Sequence, residues 1–283
     1  MSGLEHAVTL AEALTWARGR LDDRLEAEVL LAHVLGATRS HLYTWPEQQL
    51  SETQVEDYRR LIERRAAGEP VAYLTGRQEF WSLELEVDAA TLIPRPETEH
   101  LVELALQRVA ARDTVLDLGT GTGAVALAIA HERPEARVTA VDASAAALAV
   151  AHRNAARLKL DLELLEGDWY VPVRERRFHV IVSNPPYIGE AEPELSQGDC
   201  RFEPRSALVA DGHGLADLRL IAAGAPMHLY PGGWLLVEHG YRQGAAVREL
   251  FRRAGFVDVA SERDLAGHER VTLGRLPDPG TTP

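Results

Sequence analysis

The chain has 283 residues, which at roughly 150 residues per domain suits one large domain and a smaller one. Hydrophobic residues make up 46% and charged residues 26%, a composition that fits a globular protein with a sizeable core and excludes a disordered chain. The formal net charge is −13, which disfavours nucleic acid as the main partner.

Cysteine usage and hydropathy bear on the compartment. Cys200 is the only cysteine, so no internal disulfide can form, and the amino terminus lacks the basic-then-apolar order of a signal peptide. No apolar run approaches the ~20 residues that a membrane span needs. We therefore predict a soluble, cytoplasmic protein. The eleven histidines include no His-x-x-x-His pair, so the sequence predicts no metal site.

Residues 1–75 carry apolar residues at helical spacing, which predicts a small helical bundle. Ser51 and Gln54 have the spacing of a capping box, and Gly68 and Pro70 should end the helix that starts there. Residues 1–90 contain 9 arginines, no lysine and 16 acidic residues, a charge near −7. This region is therefore no basic arm for DNA or RNA.

The pattern changes at residues 76–90, where alternating β-forming residues predict a short hairpin that joins two domains. From Thr114 onward, short apolar strands alternate with helices, which predicts parallel βαβ units with right-handed crossovers. The predicted α/β domain covers residues 91–283. Its last two strands are predicted at residues 257–262 and 270–275, before a polar, frayed tail.

The first predicted strand runs into the glycine-rich segment Gly119–Gly123, and a helix follows. Glycines there permit unusual dihedrals and let backbone amides approach a ligand closely. Asp142 ends the next strand 19 residues later, near the ~20-residue offset at which an acid meets ribose hydroxyls. The pattern predicts an adenosine-containing cofactor. Because Gly121-x-Gly123-x-x-Ala126 also satisfies the loose dinucleotide fingerprint, the glycines alone leave NAD open.

Two further segments end predicted strands, where open α/β sheets bind ligands. Asp168 and Trp169 follow the third strand, and they are placed to contact adenine by a hydrogen bond and by ring stacking. The fourth strand ends in Asn184-Pro185-Pro186-Tyr187.

With these segments the sequence resembles a known family. DLGTGTGAVALAIA, VDAS, GDWY and VSNPPYI are similar to class I S-adenosylmethionine-dependent methyltransferases. FWSLELEV, LIPRPETE, QGDCRFEPRSALVADG, VEHGYRQGAAVRELF and ERVTLGR narrow the resemblance to the release-factor glutamine methyltransferases, the PrmC or HemK family. The resemblance implies methyl transfer from S-adenosylmethionine to the glutamine of the Gly-Gly-Gln tripeptide of peptide-chain release factors.

The same resemblance implies an architecture and residue roles. The fold would be α/β and Rossmann-like, with a mostly parallel seven-stranded sheet, and the helical bundle of residues 1–75 would engage the protein substrate. The implied cofactor contacts, with Asp168 added from its place at a strand end, are Gly119, Thr120, Gly121, Thr122, Gly123, Asp142, Asp168, Trp169 and Asn184. The residues expected to receive the glutamine are Asn184, Pro185, Pro186 and Tyr187, of which Asn184, Pro185 and Tyr187 are expected to be catalytic.

The chemistry of the segment at 184–187 suits this reaction on its own terms. A carboxamide nitrogen is a weak nucleophile because its lone pair is delocalised, so acceptors and no donors should surround it. The Asn184 side-chain oxygen and the Pro185 carbonyl can accept its hydrogens, and a proline has no competing N–H. Their pull strengthens as the nitrogen gains positive charge, which stabilises the transition state differentially. The Tyr187 ring can flank the planar amide.

Three alternatives stay open at this point. A nucleic-acid amino methyltransferase would use the same segment on adenine or cytosine, although it would need a basic groove. An NAD-dependent oxidoreductase would explain the glycines and leave residues 184–187 unexplained, and a non-catalytic binding module would keep the fold alone. We expect a monomer that does not bind nucleic acid or membrane. No role is assigned to Arg95, Glu97, Arg201, Glu203, Glu238 or His239.

Overall fold

The computed structural model describes residues 8–278, which fall into two compact units divided between Arg77 and Gln78. The predictions for the extreme amino terminus and for the last five residues of the tail lie outside the described residues. Within residues 8–278, no helix is long and apolar enough to cross a membrane. The same residues contain no group of three or more His, Cys, Asp or Glu side chains that could hold a metal ion.

The first unit is helical, as predicted. Its apolar core includes the fully buried side chains of Leu30, Leu31 and Tyr58. Ser51 caps the fourth helix with the predicted capping box to Gln54. The helices of this unit are α1 (Leu10–Arg18), α2 (Arg24–Leu35), α3 (Arg39–Thr44), α4 (Glu52–Ala66) and α5 (Val71–Thr75).

A two-stranded hairpin, β1 (Arg77–Phe80) and β2 (Leu83–Glu86), stands at the predicted position. Its turn residues, Trp81 and Ser82, both have positive φ, at 53° and 58°. Glycine and asparagine are the usual residues in such a turn. The unfavourable backbone of Trp81 is held by two hydrogen bonds, from its N–H to Glu99 at 2.8 Å and from its indole N–H to Glu132 at 2.9 Å.

The second unit is built on a seven-stranded sheet in the order β5-β4-β3-β6-β7-β9-β8. Strands β3 to β7 are parallel, and β9 runs antiparallel between β7 and β8. This confirms the α/β fold with a mostly parallel sheet. The strands are β3 (Thr114–Leu118), β4 (Arg137–Asp142), β5 (Glu163–Glu166), β6 (Phe178–Ser183), β7 (Leu229–Glu238), β8 (Val257–Arg263) and β9 (Glu269–Arg275).

Helices cover both faces of this sheet, because side chains alternate along each buried strand. Val115 joins the apolar cluster formed with α6 and α7, whereas the next residue, Leu116, joins the cluster formed with α10 and α11. The helices are α6 (Glu99–Leu106), α7 (Ala124–Glu132), α8 (Ala145–Leu158), α9 (Asp211–Gly214), α10 (Ala216–His228) and α11 (Gly244–Arg253).

Candidate active site

The parallel register places the loops that follow β3, β4 and β6 at one edge of the sheet. Leu118, the last residue of β3, pairs with Val141 of β4 on one side and with Ser183 of β6 on the other. The glycine-rich segment, Asp142 and Asn184 therefore emerge side by side. Ligands of open α/β sheets bind at this carboxyl edge.

The backbone amides of the glycine-rich segment are largely used within the protein. Gly119 and Thr120 donate to the Val141 carbonyl at 2.9 and 3.0 Å. Gly121 donates to Asp142 Oδ2 at 2.8 Å, and Gly123 donates to the Thr120 carbonyl at 2.8 Å. A ligand can therefore come close to the backbone of this segment, because glycines have no side chains. It finds few free N–H donors there, although the glycine pattern suggested that such donors would be available.

Two glycines of this segment are favoured by their backbone conformation, and Gly123 is favoured also by its tight surroundings. Gly119 has a φ of +72°, and a Cβ there would lie 3.5 Å from the ring of Trp169. Gly123 has a φ of +83°, and a Cβ there would come within 3.1 Å of Leu127. Only glycine adopts such backbone angles without strain. Trp169 itself has a positive φ of 43°, an unfavourable conformation of the kind found at binding sites.

Asn154 of α8 fastens the glycine-rich segment to the hairpin. Its buried Nδ2 donates to the Thr122 carbonyl and to the Glu86 carbonyl, both at 3.0 Å. Its Oδ1 accepts the Glu86 N–H at 2.6 Å. A buried carboxamide with three hydrogen bonds is well satisfied, so Asn154 holds this loop in place.

Two aspartates stand at the ends of neighbouring strands. Asp142 accepts from the N–H groups of Gly121 and Ser144, at 2.8 and 2.9 Å, and each oxygen keeps a further lone pair. Asp117 is buried and accepts from the Thr120 hydroxyl at 2.6 Å. Burial, together with the nearby charge of Asp142, raises the pKa of Asp117 to about 7.

These residues border a cavity of about 440 Å³, which lies within the range of small-molecule pockets. Its ionisable side chains are four aspartates, of which Asp117 is partly protonated near pH 7, and a single arginine. The acidic groups still outnumber the arginine, so the cavity favours a cationic ligand over a pyrophosphate. Among the predicted residues, the lining contains Gly119, Thr120, Gly121, Thr122, Asp142, Asp168, Trp169, Asn184 and Pro186. Its charged residues are Arg95, Asp117, Asp142, Asp168 and Asp217.

Gly123, Pro185 and Tyr187 lie outside the wall of this cavity. Gly123 is the N-cap residue before α7, and Pro185 is buried. Tyr187 packs in the apolar cluster, its hydroxyl donates to Glu238 Oε1 at 3.3 Å, and its carbonyl accepts from Gln243 at 3.0 Å. Burial raises the pKa of Tyr187. These contacts hold the tyrosine within the protein, and its expected contact with the substrate amide stays a prediction.

Asn184 is fixed at the cavity wall by two hydrogen bonds in its neighbourhood. The preceding residue, Ser183, donates its hydroxyl to the Leu118 carbonyl at 2.7 Å and so ties β6 to β3. Asn184 Nδ2 donates to Thr98 Oγ1 at 3.1 Å. Its Oδ1 is the end of the carboxamide left to accept a substrate hydrogen.

Glu238 ends β7 and is buried, at 2% exposure. Burial raises the pKa of this carboxyl to about 7, although the Thr98 and Tyr187 hydroxyls and the charge of Arg270 oppose the shift. Its Oε2 makes no hydrogen bond of normal geometry with any residue between 8 and 278. A buried carboxylate oxygen without a partner is costly, which points to a role beyond packing.

A second buried glutamate connects the segment before α6 to the segment after Tyr187. Glu203 accepts from the Ile93 N–H at 2.9 Å and from Arg95 Nη2 at 2.5 Å. Burial raises the pKa of Glu203. Since Arg95 and Ser206 line the cavity, this ion pair orders two of its walls.

Sequence reasoning missed several residues of the cavity wall, among them Asp117 and Thr98. Asp117 stands at the carboxyl end of β3, and that position alone could have identified it. Thr98 precedes α6 like an ordinary capping residue, and nothing in the sequence joins it to Asn184. His239 is buried and bonded to the Gly240 carbonyl and to Thr272, so its ring is already satisfied within the fold.

Comparison with known proteins bears on both units. The PrmC N-terminal domain family matches residues 12–76, and the Methyltransferase small domain family matches residues 96–198. A solved methyltransferase structure from Pyrococcus furiosus has a TM-score of 0.55 at 20% identity, over 79% of this chain and 99% of that one, which shows the fold alone.

Two curated relatives are close over nearly their whole length. The release factor glutamine methyltransferase of Vibrio cholerae is 50% identical over 278 residues, 95% of this chain and 97% of that protein. The release factor glutamine methyltransferase of Pseudomonas aeruginosa is 56% identical over 254 residues, 89% of this chain and 92% of that protein. With this identity and coverage, the chain belongs to the release factor glutamine methyltransferase family.

Proposed function

We propose that this enzyme transfers a methyl group from S-adenosylmethionine to the side-chain amide nitrogen of the glutamine in the Gly-Gly-Gln tripeptide of peptide-chain release factors. The observation that carries the proposal is the position of Asn184, which holds a carboxamide oxygen at the wall of an acidic cavity beside the glycine-rich segment. Family membership supports the choice of reaction, and the position of Asn184 supports this cavity as the site of the reaction.

The cavity suits S-adenosylmethionine in its charge and in the contacts that it offers. The four aspartates of its lining favour a sulfonium ligand that also carries an ammonium group. Asp142 keeps lone pairs for ribose hydroxyls, and the Trp169 ring beside Gly119 offers a face for adenine. S-Adenosylmethionine supplies an electrophilic methyl carbon bound to a positively charged sulfur.

The residues of this chain act on the amide nitrogen. Asn184 Oδ1 at the cavity wall accepts one of its two hydrogens and helps to orient its lone pair toward the methyl group. Pro185 lies outside the cavity wall, and acceptance of the other hydrogen by its carbonyl stays a prediction. Such hydrogen bonds strengthen as the nitrogen becomes positive, so they stabilise the transition state more than the bound substrate. The methylated nitrogen is then acidic enough to lose a proton to water.

The two units would have different functions, one in binding the release factor and the other in methyl transfer. Residues 1–75 form the domain that engages the release factor, residues 76–90 form the linker, and residues 91–283 form the methyltransferase domain. Their described parts correspond to a helical bundle, a hairpin and the seven-stranded sheet with its helices. The acidic charge of residues 1–90 favours a protein partner over a nucleic acid.

Mass spectrometry tests the proposal directly. A purified release factor is incubated with the enzyme and isotopically labelled S-adenosylmethionine, then digested, and the labelled methyl is located by fragmentation. The expected product carries one methyl on the glutamine of its Gly-Gly-Gln tripeptide. A release factor with glutamate in place of that glutamine serves as the matched control and should stay unlabelled.

Other outcomes would contradict the proposal. Label on another residue of the release factor would show a different methylation site. Label on ribosomal RNA with a steep salt dependence would favour the nucleic-acid alternative. Calorimetry with NAD and with S-adenosylmethionine separates the oxidoreductase alternative, because the acidic cavity should bind only the latter.

A further inference from the structure

Asn184 is held by a hydroxyl from a distant part of the chain. Its Nδ2 donates to Thr98 Oγ1 at 3.1 Å across a sequence separation of 86 residues. Thr98 is buried, at 4% exposure, and lines the same cavity. Because a carboxamide has a donor end and an acceptor end, whatever binds its NH₂ group decides which end faces the cavity.

Glu238 is a second neighbour of Asn184. Ser183 of β6 pairs with Val237 of β7, so the residues that follow them, Asn184 and Glu238, emerge next to each other. Glu238 Oε1 accepts from Tyr187, whereas the buried Oε2 lacks a hydrogen-bond partner within residues 8–278. Asn184 binds the Thr98 hydroxyl and emerges beside Glu238, so the hydrogen of this hydroxyl is the nearby donor available to Oε2. The same hydroxyl opposes the rise in the pKa of the Glu238 carboxyl.

We propose that Thr98 and Glu238 form a positioning pair that sets the orientation of the Asn184 carboxamide, an inference that rests on the proposed function. Thr98 has a single hydroxyl hydrogen, and giving it to Glu238 leaves only lone pairs toward Asn184. Asn184 must then turn Nδ2 to Thr98 and Oδ1 to the cavity. The reverse orientation would place N–H donors where the substrate amide needs an acceptor.

Replacement of the hydroxyl tests the first half of the pair. Thr98→Val keeps the shape of the side chain and removes its oxygen, so kcat should fall by about 10-fold to 10²-fold, the scale for a group that supports a catalytic residue. The Kd of S-adenosylmethionine and the KM for the release factor should change by less than about 3-fold. Thr98→Ser restores the hydroxyl and should recover most of kcat.

Thr139→Val is the matched control. Thr139 is also buried and its hydroxyl donates to a glutamate, Glu163, at 2.8 Å, as proposed for Thr98 and Glu238, but Thr139 lies outside the cavity wall. This variant should keep the kcat of the wild type. Equal losses in the two valine variants would show that a buried hydroxyl matters only for packing, which would overturn the inference.

A double-mutant cycle tests the second half. The carboxamide in Glu238→Gln can donate to Thr98, which frees the Thr98 hydrogen for Asn184 and favours the wrong orientation. The single variant should lose about 10-fold in kcat, and in the Thr98→Val background it should cost nothing further. Additive losses would show that Glu238 does not act through Thr98.

The wild-type enzyme separates this inference from the proposed function. Failure of the wild type to methylate the release factor would refute the proposed function itself. If the wild type is active and Thr98→Val keeps its full kcat, the positioning pair alone is refuted. The expected result is an active wild type, a slow Thr98→Val and a non-additive cycle.

Discussion

The buried carboxyl of Glu238 should make the stability of the second unit depend on pH. Its pKa is raised from 4.5 to about 7 because the folded protein removes it from water. Stability from the protonated form is therefore fully present below about pH 4.5 and is lost as the pH rises through 7. Glu238→Gln, which stays neutral at every pH, should remove this dependence.

The magnitude follows from the shift. At about 1.36 kcal/mol per pKa unit, ionising Glu238 costs the wild type about 2.5 kcal/mol between pH 5 and pH 8.5. The free energy of unfolding of Glu238→Gln, taken relative to the wild type, should thus rise by about 2.5 kcal/mol over this range. Denaturant-dependent hydrogen exchange of peptides from β7 measures it and separates this unit from the helical one.

Glu135→Gln is a suitable control, because Glu135 is exposed and its ion pair with Arg112, at 3.7 Å, is long and open to solvent. Its stability relative to the wild type should be the same at both pH values. A relative stability of Glu238→Gln that does not rise with pH would refute the raised pKa. A variant that is more stable and yet slower would show that the carboxylate is retained for catalysis at a cost in stability.

Three further substitutions test the site. Asn184→Ala should lower kcat by about 10² to 10³ while the Kd of S-adenosylmethionine changes little, as single-turnover kinetics and calorimetry would show, and a near-normal turnover would refute its role. Asp142→Ala should weaken cofactor binding in calorimetry, because it removes the expected ribose acceptor and the partner of the Gly121 N–H, and an unchanged affinity would exclude Asp142 from the site. Trp169→Ala should raise the Kd of S-adenosylmethionine by about 10-fold, the low end of a base–aromatic stack, and an unchanged Kd would exclude stacking.

Much of the fold could be predicted because its signals are periodic. The alternation of short buried strands with helices after Thr114 indicated a parallel sheet, and the capping box at Ser51 marked the start of α4. The hairpin turn is different. Trp81 and Ser82 both adopt positive φ without glycine or asparagine, and bonds from Trp81 to Glu99 and Glu132 support them. Tertiary contacts of this kind leave no local sequence signal.

The candidate site was predictable where position in the sheet determines it. Asp142 ends β4 and Asn184 directly follows β6, and both strands flank β3, so the two residues meet at one edge because of the sheet topology. The partners that orient them do not follow, since Thr98 reaches Asn184 across 86 residues. The burial of Tyr187 could not be predicted either. The sequence placed its ring near the substrate amide, but it gave no sign that the hydroxyl binds Glu238.

The glycine-rich segment shows why a loose motif could not choose the cofactor. A dinucleotide needs free backbone N–H groups for its pyrophosphate, and a fingerprint of glycines is compatible with that use. Here the amides of Gly119, Thr120, Gly121 and Gly123 all bond within the protein, one of them to the carboxylate of Asp142. The Asp142 carboxylate therefore has two effects. It occupies a backbone N–H that could otherwise bind a phosphate, and it adds negative charge that favours a sulfonium ligand. Because hydrogen bonding and charge act in the same direction, we expect this Rossmann-like edge to prefer S-adenosylmethionine over NAD even though its glycines fit either cofactor.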